Sequence, residues 1–472
     1  MADDKLAAPQ PWQRWLVVAL AFFCAVFVAQ ALIESARSPQ AQTQLDAIET
    51  DLRLLARYGE EGDFLPQALQ QYRRARESNR RVAVPTGLDV RIGLLEVAGG
   101  EPSAALATWQ GAIAAEATPT VDAYGARVLQ GLWSEPPAIL PEAEAVLQER
   151  LEGWFRGVAL TRLYELQQRD RDRERLQSSL LVLRNKARQR LFWVNGVPVV
   201  VGGLGACLGM GLLVQRWGWP ARSPLLGPLS WEPVPWPWER AWTVMVVWLA
   251  SFIALSQVLP GLLMVAAALL KQWVGGSPFR YQATTVLLSY GLTVSPMVPL
   301  VNGCVREAGW QDRWRELWTW DRRVWLWGIG GYGVAMPLVL VASWLSERLW
   351  QGQGGGNPLL PILVESQDSA AKFLLWLTVA VAAPVAEEFL FRGFWLRSLL
   401  RTLPTWGAIA LSAVGFAVVH LNAVDLLPLT VLGAVLGFVF VRSQRLPAVI
   451  LLHALWNTGS FVALLALGRV DG

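Results

Sequence analysis

Glu387-Glu388-Phe389-Leu390-Phe391-Arg392-Gly393 follows an apolar run, Phe373 to Ala386, that suits a lipid environment. Two adjacent carboxylates and an arginine thus stand where charge facing hydrocarbon costs roughly 2.5–3.5 kcal/mol per residue at a helix centre. Charges so placed face a protein interior or a wet cavity and are functional by default. On a helix, Glu388 and Arg392 lie four apart and can pair on one face. Glu387 is turned about 100° away from that face. One carboxylate can be held by a cation, and the other is left for chemistry.

The chain holds only two histidines, both downstream in apolar segments. His420 closes Phe416-Ala-Val-Val-His420, and His453 opens His453-Ala-Leu-Trp-Asn457. The second spacing places His453 and Asn457 on one helix face. A lone histidine at an apolar position is usually a packed core residue. That reading weakens here, because both histidines share one block with the Glu pair and each sits inside a patterned motif.

EExxxR, FxxxH and HxxxN, in this order on successive hydrophobic segments, resemble the CPBP (Abi) intramembrane proteases. These include the type II CAAX prenyl endopeptidases and their bacteriocin-processing relatives. The matching residues are Glu387, Glu388, Arg392, Phe416, His420, His453 and Asn457. The resemblance covers roughly residues 240–470 and leaves out the N-terminal half. It implies that Glu387 and His420 activate water, while His453 and Asn457 stabilise the oxyanion.

Composition agrees with a membrane protein. Hydrophobic residues make up 53% of the chain, above the ~45–50% usual in soluble domains. The formal charge of +4 is modest. Outside residues 34–190 the arginines that carry it lie largely in short loops, which suits membrane orientation better than nucleic-acid binding. Cys24, Cys207 and Cys304 are scattered and form neither a zinc knuckle nor a disulfide framework. The 26 tryptophans cluster near the ends of apolar runs, as in an interfacial belt.

Along the chain, a polar tail precedes Trp15 to Ile33, 19 mostly apolar residues that can span a ~30 Å core. Ala29-Gln-Ala31 resembles a signal-peptide cleavage site; the length of the run favours an uncleaved anchor. Residues 34–190 are polar, charged and without strand alternation, which predicts a soluble helical domain. Ala68-Leu69-Gln-Gln-Tyr72-Arg-Arg-Ala75 and Ala105-Leu106-Ala-Thr-Trp109-Gln-Gly-Ala112 look alike, each after a Gly-acid turn. Their offset is close to the ~34 residues of tetratricopeptide repeats, which they also resemble in pattern. A basic run, Arg184 to Arg190, ends the domain where lipid headgroups are expected.

From residue 191 apolar runs succeed one another, with spans expected near 193–214, 241–270, 282–303, 323–346, 371–391, 405–421, 425–442 and 447–467. Two loops, 216–240 and 305–323, are rich in tryptophan and are expected at the interface. Gly352 to Gly356 reads as a linker, and Ser366 to Ser369 offers caps for the helix bearing the Glu pair. The expected fold is an all-α polytopic transmembrane bundle of about eight core helices plus an N-terminal anchor, with a soluble helical, TPR-like domain. The boundaries are 1–33 (tail and anchor), 34–190 (helical domain), 191–240 (first bundle helix and interfacial loop) and 241–472 (protease domain). Short loops on the side of the N-terminal tail hold 15 Lys and Arg, against 5 on the other side. That split places the tail in the cytoplasm, with residues 34–190 and the C-terminus outside. A prokaryotic plasma membrane, or a thylakoid or other organellar equivalent, fits the family.

Amide hydrolysis needs an activated water, a base and donors for the oxyanion. Burying a carboxyl among apolar helices raises its proton affinity toward the range where a base works at neutral pH, so Glu387 is the candidate base. Pro384 removes a helical hydrogen bond and is expected to open the wall beside it. His420 can orient the water, and His453 and Asn457 can donate to the oxyanion. Glu388 and Arg392 read as an internal ion pair; the alternative for Arg392 is to anchor a substrate carboxylate. Phe416 is expected to pack on His420. A metal-free reaction is favoured. The alternative is a zinc-dependent hydrolysis with Glu387, His420 and His453 as ligands, a legitimate catalytic zinc set. The expected activity is therefore an intramembrane endopeptidase acting on a membrane-associated protein or peptide. The alternative class is a non-catalytic scaffold or immunity-like protein. A transporter is disfavoured, since no paired broken helices recur in two halves. The bilayer is one partner, and residues 34–190 are the candidate surface for a protein partner.

Overall fold

The computed structural model of the chain describes residues 11–37, 42–78, 86–115, 121–219, 232–265, 274–275, 277–350, 363 and 366–467. Most of the expected polar tail, Trp231 with the residues just before it, and the linker Gly352–Gly356 lie outside the described residues. Among the described residues the regular structure is helical throughout, with no strand. In lipid every backbone polar group must pair within its own segment, and a helix does that alone.

The chain divides into two compact units. The first comprises residues 1–38 and 197–463. Its long helices are Pro11–Arg37, Val197–Gly218, Trp238–Val265, Arg322–Trp350, Leu426–Ser443 and Leu446–Leu467. To these are added Pro278–Glu307 and the helix that carries the Glu pair, Ser369–Leu400. Eight helices among the described residues are long and apolar enough to cross a membrane. The segment expected to span 405–421 is the exception: its helix, Thr405–Val418, has 14 residues. At 1.5 Å per residue that is about 21 Å, short of a ~30 Å core. The chain turns out of the helix there, with Leu421 in a left-handed conformation at φ +55°. Pro278–Glu307 is likewise broken at Ser295-Pro296 into Pro278–Val294 and Met297–Glu307, where proline has no N–H to give.

Helices in lipid approach closely where small residues face each other. Val197–Gly218 and Arg322–Trp350 meet in this way: a methyl group on Gly205 would fall 1.6 Å from the carbonyl oxygen of Gly333. Not every loop tryptophan stays at a surface. Trp217 remains exposed, but Trp236 is fully buried. Its indole N–H donates to Ser398 Oγ at 2.9 Å and its ring stacks on Phe394. These contacts satisfy both halves of an amphipathic side chain inside the protein. Trp310 and Trp314 join the same core.

The second unit comprises residues 39–196 and 464–472. Its helices run from Gln42–Ala56 to Asp170–Leu191. Tyr72, Trp109, Trp154 and Phe155 are the large side chains at its centre. Ala68, Tyr72 and Ala75, with Ala105, Trp109 and Ala112, are all buried there. Burial explains why the two segments share a pattern of small and aromatic residues. Any packed helical hairpins impose the same pattern, so it does not single out a repeat family.

Candidate active site

Three helices of the first unit bring the motif residues together, helped by the turn after Thr405–Val418. The Glu helix is not regular. Asp368 caps it by accepting from the N–H groups of Ala370 and Ala371, as the cap residues in the sequence suggested. The turn Thr378–Ala382 then widens to π geometry, with the Ala383 N–H reaching back to the carbonyl of Thr378. Six α-helical residues, Ala383–Glu388, carry the Glu pair, and Phe389–Leu396 widens again. Pro384 lies in the short α segment between the two bulges. Such bulges recur at functional sites because they re-aim side chains within one helix.

Glu388 and Arg392 are both fully buried. Arg392 Nη1 donates to Glu388 Oε1 at 3.0 Å, and Nη2 donates to the carbonyl of Gly433 at 3.0 Å. The guanidinium lies 4.5 Å over the Phe416 ring. The internal ion pair read from the i, i+4 spacing is therefore present. Arg392 is sealed inside the protein and presents no face to a substrate carboxylate. Gly433 suits this crossing: a Cβ there would stand 3.0 Å from the Cα of Ala413.

Glu388 also holds a histidine. His453 Nδ1 lies 2.8 Å from Glu388 Oε1, so the carboxylate accepts from both Arg392 and His453. This orients the other ring nitrogen, His453 Nε2, which stands 3.8 Å from Glu387 Oε2. His420 Nε2 stands 3.9 Å from the same oxygen. His420 Nδ1 lies 2.7 Å from the carbonyl of Phe416. A carbonyl only accepts, so Nδ1 carries a proton and, in the neutral ring, Nε2 presents a lone pair. Glu387 Oε2 is itself buried and has no hydrogen-bond partner in the protein.

Exposure differs among these groups. The side chain of His453 is 4% exposed, Glu387 21% and His420 31%. Phe416 packs edge-on to His420 at 4.8 Å, as expected, and also to His453 at 5.7 Å. Its ring is thus a shared wall for both histidines and for Arg392.

Asn457 is already engaged within the protein. Its Nδ2 donates to the carbonyl of Val379 at 2.7 Å, inside the first π turn of the Glu helix. Tyr290, which the motifs did not flag, donates from its hydroxyl toward Glu387 Oε1 at 3.4 Å. The signal for Tyr290 was its place in the middle of an apolar run, where an interfacial aromatic does not belong. Among the described residues no group of three or more His, Cys, Asp or Glu is spaced to hold a metal ion.

Glu388, Arg392 and His453 are thus buried, with the partly exposed Glu387 and His420 beside them, and comparison with known families agrees. Residues 369–459 match the Rce1-like family, described as type II CAAX prenyl endopeptidase Rce1-like. All seven motif residues fall inside the Rce1-like match, which is narrower than the stretch of 240–470 drawn from the motifs. The match supports a CAAX-type membrane endopeptidase, and with eight candidate spans it makes the chain a multi-pass integral membrane protein. No curated protein and no solved structure matches the chain.

Proposed function

We propose that the chain is an intramembrane endopeptidase that hydrolyses a peptide bond of a membrane-associated protein or peptide, with Glu387 as the base. The observation that carries this reading is the position of Glu387 Oε2. It is buried, lacks a protein partner, and is flanked by two imidazole nitrogens at 3.8 and 3.9 Å. Those separations exceed a direct hydrogen bond of 2.7–3.2 Å. They suit groups that act on one small molecule between them, such as a water.

In the proposed reaction a water donates one hydrogen bond to Glu387 Oε2 and another to the lone pair of His420 Nε2. Glu387 takes a proton as the water oxygen attacks the carbonyl carbon. The carbonyl oxygen becomes an oxyanion. His453 Nε2 donates to it; with Nδ1–H held by Glu388, the ring carries both protons to do so. Asn457 has two N–H bonds. One is engaged by Val379, and the second is the proposed oxyanion donor. Each such donor supplies roughly 2.7–4 kcal/mol. Glu387 returns its proton to the leaving nitrogen as the C–N bond breaks, giving a carboxylic acid and an amine.

Metal-free chemistry belongs to this proposal. A zinc ion would draw on Glu387, His420 and His453, and sensitivity of the purified protein to a zinc chelator distinguishes the two forms. The loop arginines further support a cytoplasmic N-terminal tail, with residues 34–190 on the far side as a candidate surface for a protein partner. The test compares membrane peptide fragments in cells that make the parent chain or Glu387→Gln. A set of fragments lost only in the variant supports the endopeptidase. Identical fragment sets would turn the reading toward a non-catalytic scaffold.

A further inference from the structure

His420 does not sit in a helix body. It lies in the turn of residues 419–425, which leaves Thr405–Val418 and enters Leu426–Ser443. Leu421 in this turn has a left-handed backbone, which non-glycine residues keep only when their surroundings over-determine it. The tethers are visible. Asn422 Nδ2 donates to Asp425 Oδ2 at 2.7 Å within the turn. Ser346, on Arg322–Trp350, donates its hydroxyl to the carbonyl of Val424. The third tether comes from the far end of the sequence: the N–H of Ala423 donates to Ser35 Oγ at 3.0 Å. Ser35 occupies the last turn of Pro11–Arg37, more than 300 residues before the segment that matches the Rce1-like family.

We infer that Ser35 is a positioning residue for His420, so that the N-terminal membrane helix is a working part of the hydrolytic site and more than an anchor. This deepens the hydrolase reading and rests on it. The Ala423 N–H follows a turn that spends its other backbone bonds locally, His420 N–H to the carbonyl of Ala417 and Leu421 N–H to that of Val418. The hydroxyl of Ser35 therefore fixes where the turn stands relative to the Glu helix. Pro11–Arg37 packs on Trp238–Val265 and buries Cys24, which holds Ser35 in place. Cleavage after Ala31 would separate Ser35 from that packed helix.

The presence of only two histidines makes the test direct. Full-length parent, Ser35→Ala and Ser35→Thr are purified in detergent and labelled with diethyl pyrocarbonate, and the modification of His420 and His453 is followed by mass spectrometry. Loss of one hydrogen bond shifts a local opening equilibrium by about fivefold. His420 of Ser35→Ala is therefore expected to label about fivefold faster, with His453 unchanged and Ser35→Thr like the parent. In the same preparations, kcat on a fragment precursor found with Glu387→Gln is expected to fall about ten- to a hundredfold, as for a small misplacement of a catalytic group, with KM held. Unchanged labelling of His420 overturns the inference, as does faster labelling with kcat preserved. If parent and Glu387→Gln prove equally inactive, the hydrolase reading has failed instead, and the labelling still decides whether Ser35 holds the turn.

Discussion

Arg392→Met tests the electrostatic frame of the site. The parent side chain ends in three contacts, all buried: Glu388 at 3.0 Å, the Gly433 carbonyl at 3.0 Å and the Phe416 ring at 4.5 Å. Methionine can replace the contact with the ring and neither of the others. Removing one partner of a buried pair leaves a desolvated charge and costs about 3–5 kcal/mol. The Gly433 carbonyl lies inside the helix Leu426–Ser443 and loses only its added donor, about 0.5–1.5 kcal/mol. His453 Nδ1 still faces Glu388 and offsets part of the loss, so we expect about 4 kcal/mol, close to a thousandfold in the folded ratio. The assay is reversible unfolding in mixed detergent micelles, followed by tryptophan fluorescence. Adding Glu388→Gln to Arg392→Met removes the stranded charge, and the double variant is expected to recover about 2 kcal/mol relative to additivity. A single-variant loss below about 1 kcal/mol, or strict additivity, would refute the claim that this pair is a desolvated unit.

Further outcomes follow from individual contacts. Tyr290→Phe removes the hydroxyl that faces Glu387 Oε1 at 3.4 Å; for so long a bond kcat is expected to drop no more than about tenfold, with stability unchanged in the same unfolding assay. Asn457→Ala strands the Val379 carbonyl and removes the proposed oxyanion donor, so unfolding is expected about 1–3 kcal/mol easier and kcat about 10²–10³-fold lower. Gly205→Ala drives a methyl into the Gly333 carbonyl; two backbones must part, and a loss of about 1–3 kcal/mol should appear in the unfolding curve. Incubating purified enzyme with a strong zinc chelator, then assaying fragment release, is expected to leave the rate unchanged, and loss of activity restored by zinc would favour the metal reading.

Much of this architecture was readable because membrane helices and intramembrane charges obey strong constraints. Apolar runs located the helices to within a few residues at most of their ends, although the Glu helix runs on to Leu400 and Pro278–Glu307 is broken at Ser295-Pro296, and the four-residue spacing of Glu388 and Arg392 gave their ion pair. The same spacing was a poorer guide for Asn457. It correctly put Asn457 on one face with His453, but a face does not say which neighbour is met, and the Val379 carbonyl is exposed to it only because the Glu helix widens there. The bond between His453 and Glu388 was hidden for a similar reason. Arg392 accounted for Glu388 at the level of sequence, and nothing in a linear pattern says that one carboxylate oxygen serves two donors. Tyr290, Ser35 and Ser346 carry no motif at all, since their roles depend on which helices become neighbours. The short helix Thr405–Val418 escaped the hydropathy reading because Val419 and Leu421 are apolar, and the turn they form is held by hydrogen bonds to other helices.

The central claim is that Glu387 activates a water to cut a peptide bond. Digesting a fragment precursor with purified enzyme in ¹⁸O-enriched water, and reading the new C-terminal carboxyl by mass spectrometry, tests it most directly. The account predicts one ¹⁸O per cleavage with the parent chain and no cleavage with Glu387→Gln. Labelled product from Glu387→Gln at the parental rate would contradict it.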